Sequence, residues 1–219
     1  MCGINGALYC GAASQESVLR EIILRCSDRG QDSCGVVAWG EAGWHDTRCL
    51  GGAGNLPRGF LPDGMRIVIN TNRAEPTTEW VRHKTLSDVQ PFRTDYTAVS
   101  HNGIIANDEA LRSAYGIETH STIDTAIVPS LVDRLGVRKA IAALVGGLAL
   151  AVLDAREGAL HLYRNFMPLA IAWQPGVYYF SSEVKNLPRG GIGGDCVVEV
   201  LPPFSGVTIE SSGRLLRWS

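Results

Sequence analysis

The residue best placed to do chemistry is a cysteine directly behind the initiator methionine, in Met1-Cys2-Gly3-Ile4. Once Met1 is removed, Cys2 carries a thiol and a free α-amine on one carbon. An α-amine has an unperturbed pKa of about 7.7–8.0, so near neutrality it takes a proton from the thiol, and nucleophile and base come in one residue. Further along, His101-Asn102-Gly103 closes the β-rich run Thr97–Ser100. Asparagine supplies a side-chain amide donor, and the glycine lets a backbone N–H approach a ligand with no Cβ in the way; two such donors side by side suit an oxyanion. The apolar run Ile67-Val68-Ile69 leads through Asn70-Thr71-Asn72 to Arg73, whose planar fork clamps a carboxylate. Ser121-Thr122-Ile123-Asp124 opens a helix, with Ser121 or Thr122 as its cap and Asp124 in the first turn, where it accepts from an ammonium group. These groups together match the α-carboxylate, α-amine and side-chain amide of a free amino acid.

Each signal has a plainer reading in isolation. Asn-Gly is a common hairpin turn, and an arginine with an aspartate makes an ion pair or a cap. His101 reads as structural because the α-amine already supplies the base, and Cys34 reads as a small buried hydrophobe. Joint occurrence in one order separates the chemical reading from these.

The order resembles that of class II glutamine amidotransferase domains, glutaminase modules of the N-terminal nucleophile (Ntn) hydrolase type. The strings that carry the resemblance are Met1-Cys2-Gly3-Ile4, Arg29-Gly30-Gln31-Asp32-Ser33-Cys34-Gly35, Gln90-Pro91-Phe92, His101-Asn102-Gly103-Ile104-Ile105-Ala106-Asn107, Ile123-Asp124-Thr125 and Ser182-Glu183. The resemblance implies an α+β, four-layer αββα sandwich with two antiparallel sheets between helix layers, formed by residues 1–219 as one domain. It also implies Cys2 as nucleophile, Asn102 and Gly103 as oxyanion hole, Arg73 on the glutamine carboxylate, Asp124 on its amine and Arg29 in a supporting place. Two departures stand out. Arg73-Ala74-Glu75-Pro76-Thr77-Thr78-Glu79 replaces the family's aromatic-Ala-Thr-His stretch, so the hydroxyl that helps hold the carboxylate is expected from Thr77 or Thr78, or is lost. Arg164-Asn165-Phe166-Met167-Pro168-Leu169 lacks the glycine that usually precedes Pro-Leu.

The reaction so implied is hydrolysis of L-glutamine through a γ-glutamyl thioester, with no metal and no organic cofactor. The ammonia is expected to pass to a separate synthetase or acceptor subunit, in nucleotide or sugar modification, as in short stand-alone amidotransferases of the kind bacteriophages encode. The rival readings are a catalytically weak glutamine sensor or scaffold, and an Ntn amidohydrolase acting on another amide. Arg73 with Asp124 favours a free α-amino acid over the latter, since a substrate without the zwitterion leaves a buried charge unpaired.

Composition sets outer bounds. With 219 residues, 45% of them apolar and 19% charged, the chain supports one sizeable core. A net charge of −2 without a basic run argues against direct nucleic-acid binding. Cysteines 2, 10, 26, 34, 49 and 196 form no CxxC pair and no Cys/His ligand spacing, which argues against zinc and suits a reducing cytoplasm. No targeting segment is visible, and the apolar run Ala140–Leu153 is too short for a membrane span; it reads as a buried helix turning into a buried strand.

Periodicity predicts strands at Ile4–Tyr9, Cys34–Trp39, Ile67–Thr71 and Thr97–His101, and helices at Gln15–Cys26, Asn107–Tyr115, Ile123–Leu135 and Arg138–Val145. Further strands are predicted at Gly147–Asp154, Ala159–Arg164, Ala170–Trp173, Val177–Ser181, Cys196–Leu201 and Gly206–Glu210.

Overall fold

The computed structural model describes residues 2–74, 85–188 and 196–219. In chain order the elements are β1 (Gly3–Tyr9), α1 (Glu16–Arg25), β2 (Ser33–Gly40), β3 (Gly43–Leu50), β4 (Met65–Arg73), β5 (Phe92–Arg93), β6 (Thr97–Ile105), α2 (Asp108–Tyr115), α3 (Val128–Leu135), α4 (Val137–Ala143), β7 (Gly146–Asp154), β8 (Ala159–Arg164), β9 (Ala170–Gln174), β10 (Val177–Ser181), β11 (Val197–Val200), β12 (Ser205–Glu210) and β13 (Leu215–Trp218). They form a seven-stranded sheet, β11-β9-β10-β1-β4-β2-β3, and a six-stranded sheet, β13-β12-β8-β7-β6-β5. The pairings are antiparallel in both sheets.

Strand alternation sorts the side chains into layers. Along β1, Ala7 and Tyr9 join Leu19, Ile22 and Ile23 of α1, whereas Ile4 and Leu8 face the second sheet. Ile67 and Ile69 of β4 lie in the inter-sheet core with Ala98, Ala149, Ala151, Leu153 and Leu160. The outer face of the second sheet, through Val99, Leu148, Leu150 and Val152, is covered by Leu111 of α2, Leu131 and Val132 of α3, and Ala140 and Ile141 of α4. The expected αββα sandwich is therefore present.

Several boundaries differ from expectation. β6 runs on through Asn102-Gly103 to Ile105, so this dipeptide is strand and not turn. The segment expected as one helix from Ile123 begins as a 3-10 turn over Asp124–Ile127 and becomes α-helical only at α3. Neither Ser121 nor Thr122 occupies its cap position, which belongs to Ile123; Ser121 Oγ instead accepts the Ile123 N–H at 3.3 Å and donates to Asp88 at 2.8 Å. Gly136 stops α3, at φ 77°. Three strands were not anticipated. β3 and β13 lie at sheet edges and are only partly buried, so polar and apolar residues mix along them, and β5 is two residues long. Among the described residues no helix is long and apolar enough to cross a membrane.

Candidate active site

The inter-sheet space ends in a cavity of about 270 Å³ lined by Cys2, Arg73, Gln90, Asn102, Gly103 and Asp124, and also by Ile104, Gly147 and Met167. Strand parity explains how distant residues meet there. Cys2 lies two residues before Ile4, Arg73 is in phase with Ile67 and Ile69, and Asn102 is in phase with Ala98, so all three project toward the space between the sheets. β1 and β4 are direct neighbours, with Gly3 opposite Asn72, which brings Cys2 beside the end of β4.

The Cys2 Sγ lies 3.7 Å from the Ala74 carbonyl. Burial pushes the thiol above its ordinary pKa, and the Ala74 contact and the Arg73 charge oppose that rise. Arg73 is 3% exposed and donates to the Asp88 carbonyl at 3.3 Å. The Arg29 Nε donates to the Cys2 carbonyl at 3.0 Å, while its Nη1 meets Glu183 at 3.2 Å. Ser182 takes the Ile4 N–H on its hydroxyl at 3.0 Å. Arg29 and Ser182 thus hold the start of the chain at Cys2 and Ile4.

On the opposite wall, the antiparallel ladder makes the N–H groups of β6 point alternately toward β7 and away from it. His101 N–H points away and is taken by Gln90 Oε1 at 3.0 Å; Ile105 N–H, also on that edge, is taken by Asp124 Oδ2 at 2.8 Å. Between them the Gly103 N–H has the same orientation and borders the cavity. Gly103 has φ 142°, and a Cβ there would meet the Gly147 carbonyl oxygen at 1.7 Å, so only glycine is accommodated. Asn102 is fully buried, and neither its Nδ2 nor its Oδ1 has a hydrogen-bond partner among the described residues. A buried carboxamide left in that state costs free energy unless a ligand completes it.

Asp124 is the first residue of its 3-10 turn. Its Oδ1 accepts from the Thr125 N–H at 2.6 Å and the Thr125 hydroxyl at 3.0 Å, and with the Ile105 bond these use three of the roughly four acceptor sites of a carboxylate. Among the described residues one site is left, and Asp124 lines the cavity. His101 is enclosed, with Nδ1 at 2.9 Å from Thr125 Oγ1 and Nε2 at 3.4 Å from the Gly147 carbonyl, and burial holds its pKa down. Gln90 was visible in the sequence only as part of Gln90-Pro91-Phe92; its place at the β6 edge depends on a contact across eleven residues that no local pattern signals. Thr77 and the altered stretch around Pro76 lie outside the described residues.

Two antiparallel sheets between helix layers, with Cys2 at one end of the inter-sheet space, are the layers of the Ntn-hydrolase architecture. The chain belongs to the glutamine amidotransferase domain family, whose model matches residues 79–189, just over half of its length. It is 37% identical over 187 residues to 7-cyano-7-deazaguanine synthase from Saccharolobus solfataricus, covering 79% of this chain and 40% of that protein. It is 32% identical over 202 residues to the isomerizing glutamine–fructose-6-phosphate aminotransferase of Bradyrhizobium diazoefficiens, covering 85% of this chain and 32% of that one. The chain therefore spans well under half the length of these curated relatives. Among solved structures, glutamine phosphoribosylpyrophosphate amidotransferase from B. subtilis, complexed with ADP and GMP, superposes with a TM-score of 0.78 at 18% identity, over 99% of this chain and 49% of that one. This last likeness is one of fold, and the layers are those expected from the motif order.

Proposed function

We propose that this domain hydrolyses the side-chain amide of L-glutamine, with Cys2 as nucleophile. The observation that carries this reading is the convergence on one cavity of a thiol, a buried arginine, a carboxylate with one open acceptor site, and an unpartnered asparagine beside a glycine N–H. Removal of Met1 frees the Cys2 α-amine, which takes the thiol proton. The thiolate attacks the amide carbon, the oxyanion draws on Asn102 Nδ2 and the Gly103 N–H, and the ammonium returns the proton to the departing nitrogen. Ammonia leaves, a γ-glutamyl thioester remains, and water activated by the same amine releases glutamate. Arg73 binds the substrate α-carboxylate and Asp124 its α-amine; the further hydroxyl expected from Thr77 or Thr78 lies outside the described residues. Arg29 holds the Cys2 carbonyl and so orients the nucleophile.

The ammonia is consumed by a synthetase or acceptor, in nucleotide or sugar modification. The names of the relatives, a deazaguanine synthase and a fructose-6-phosphate aminotransferase, support that class of acceptor. A reducing compartment such as the cytoplasm suits the catalytic thiol.

The test is intact-protein mass before and after incubation with a diazoketone analogue of glutamine, for wild type and Cys2→Ala. The expected result is a chain lacking methionine that gains one adduct in the wild type alone. Retained Met1, or a processed protein that gains nothing, would overturn the catalytic reading in favour of a sensor or scaffold.

A further inference from the structure

Cys34 and Cys49 sit directly opposite each other in the β2–β3 pair. Residues opposed across an antiparallel ladder have Cα atoms about 4.5–5.5 Å apart, inside the range that a disulfide spans. Cys34 is fully buried and Cys49 half-buried on the edge strand. The Cys49 Sγ lies 3.5 Å from the Cys34 carbonyl, and the Cys34 Sγ accepts from Asn70 Nδ2 at 3.2 Å. The other described cysteines have no such register partner. We propose that Cys34 and Cys49 form a thiol pair that two-electron oxidants, such as a peroxide, convert reversibly into a cross-strand disulfide, with Cys49 as the attacking thiol.

Reactivity and access agree on Cys49. The neighbouring Cys34 thiol holds the Cys49 pKa below its ordinary value, whereas that neighbour and burial drive Cys34 up. The Cys49 thiolate attacks a peroxide oxygen, the O–O bond breaks, and a sulfenic acid and hydroxide result, the hydroxide becoming one water with the proton that Cys49 lost on ionising. The Cys34 sulfur then attacks the sulfenic sulfur, the S–O bond breaks, and the hydroxyl leaves as a second water with the Cys34 proton. Two thiols lose two hydrogens and two electrons, and the peroxide is reduced to two waters.

Opposed Cβ atoms in a ladder stand about 4.5–5.5 Å apart, somewhat wider than the usual disulfide value of about 3.5–4.5 Å. Closing the bond pinches the two strands together, which makes it easier to reduce than a relaxed staple. The bond would also draw the Cys34 sulfur off Asn70, whose carboxamide holds the Gly35 carbonyl at 2.8 Å and accepts from Asn5 of β1 at 2.8 Å. The pair is thereby linked to the strand that follows Cys2.

The experiment treats the purified chain with hydrogen peroxide near pH 7.5, blocks free thiols, and combines intact mass with non-reducing tryptic mapping. Cleavage after Arg29, Arg48 and Arg58 leaves Cys34 and Cys49 on separate peptides, residues 30–48 and 49–58. The expected product has lost two hydrogens, joins those two peptides, and returns to the starting mass with dithiothreitol. Cys49→Ser, at a half-exposed position and checked for folding by circular dichroism, should abolish the link. Oxygen addition on single cysteines without a link, a link between other cysteines, or a link that persists in Cys49→Ser would overturn the proposal.

Discussion

Asp124 Oδ2 accepts the Ile105 backbone N–H at 2.8 Å, tying the 3-10 turn to the outer edge of β6 two residues beyond Gly103. One carboxylate therefore fixes the strand that carries the glycine donor and also lines the cavity. Asp124→Asn keeps much of the shape but loses the charge. Hydrogen bonds to charged groups contribute about 1.5–3 kcal/mol, so KM for glutamine should rise roughly 10- to 100-fold. Glutaramate, which lacks the α-amine, should show little difference between variant and wild type. An equal loss on both substrates would mean that Asp124 acts only as a strut.

Asn102 should separate activity from stability. Its side-chain polar atoms have no partner among the described residues, so Asn102→Ala removes an unsatisfied buried group along with some packing. The thermal midpoint is expected to change little. Turnover should drop about 10²- to 10³-fold, the usual loss for one oxyanion donor, with KM nearly constant. Steady-state kinetics beside a melting curve checks both halves; a large fall in stability with unchanged turnover would contradict the assignment.

Gly30 is packed against the end of β4. A Cβ there would lie 2.3 Å from the Arg73 carbonyl carbon and 2.6 Å from the Ala74 nitrogen, both of them backbone atoms. Gly30→Ala must displace the segment that carries Arg73, at an overpacking cost of about 1–3 kcal/mol. Denaturant titration should show that loss, and KM for glutamine should rise as the guanidinium shifts. Wild-type stability and KM would show that this contact relaxes freely.

Acid should weaken the fold through buried imidazoles. His161 is enclosed in β8, its Nδ1 2.9 Å from Thr208 Oγ1, and burial pushes its pKa down to about 4, with Asp154 opposing and Arg138 adding to the shift. Between about pH 6.5 and pH 4 the unfolded chain binds a proton that the folded chain does not, so stability falls as pH falls. The full effect is about 3 kcal/mol, reached near pH 4. Urea midpoints at pH 7, 5.5 and 4.5 should decline more steeply for wild type than for His161→Gln. The buried His101, also shifted down, leaves a residual slope of the same sign in the variant. Parallel profiles would show that His161 titrates normally.

The sequence by itself determined what depends on residue type and on short-range pattern. The alternation in β1, β4 and β6 was legible because one face of each strand meets the inter-sheet core and the other meets the outer layers. The donor pair at Asn102-Gly103, the arginine ending an apolar strand and the aspartate opening a helical segment were readable as chemistry before any fold was known. Their family order was readable too, since it lies in the chain itself.

Only the tertiary structure decided how those groups meet. Asn102-Gly103 carries turn chemistry locally, yet the ladder to β7 holds it extended, because glycine at φ 142° fits under the Gly147 carbonyl where a side chain would collide. Ser121 looked like a cap, but its hydroxyl is drawn to Asp88, and the turn takes its boundary one residue before Asp124 instead. The Gly103 N–H lies between donors taken by Gln90 and Asp124, contacts that tie β6 to residues eleven positions before His101 and nineteen after Ile105. The opposition of Cys34 and Cys49 follows from a strand register that neither cysteine's neighbours specify. Local sequence sets which groups are available and which face of a strand they occupy; register and sheet packing set which of them stand close enough to react.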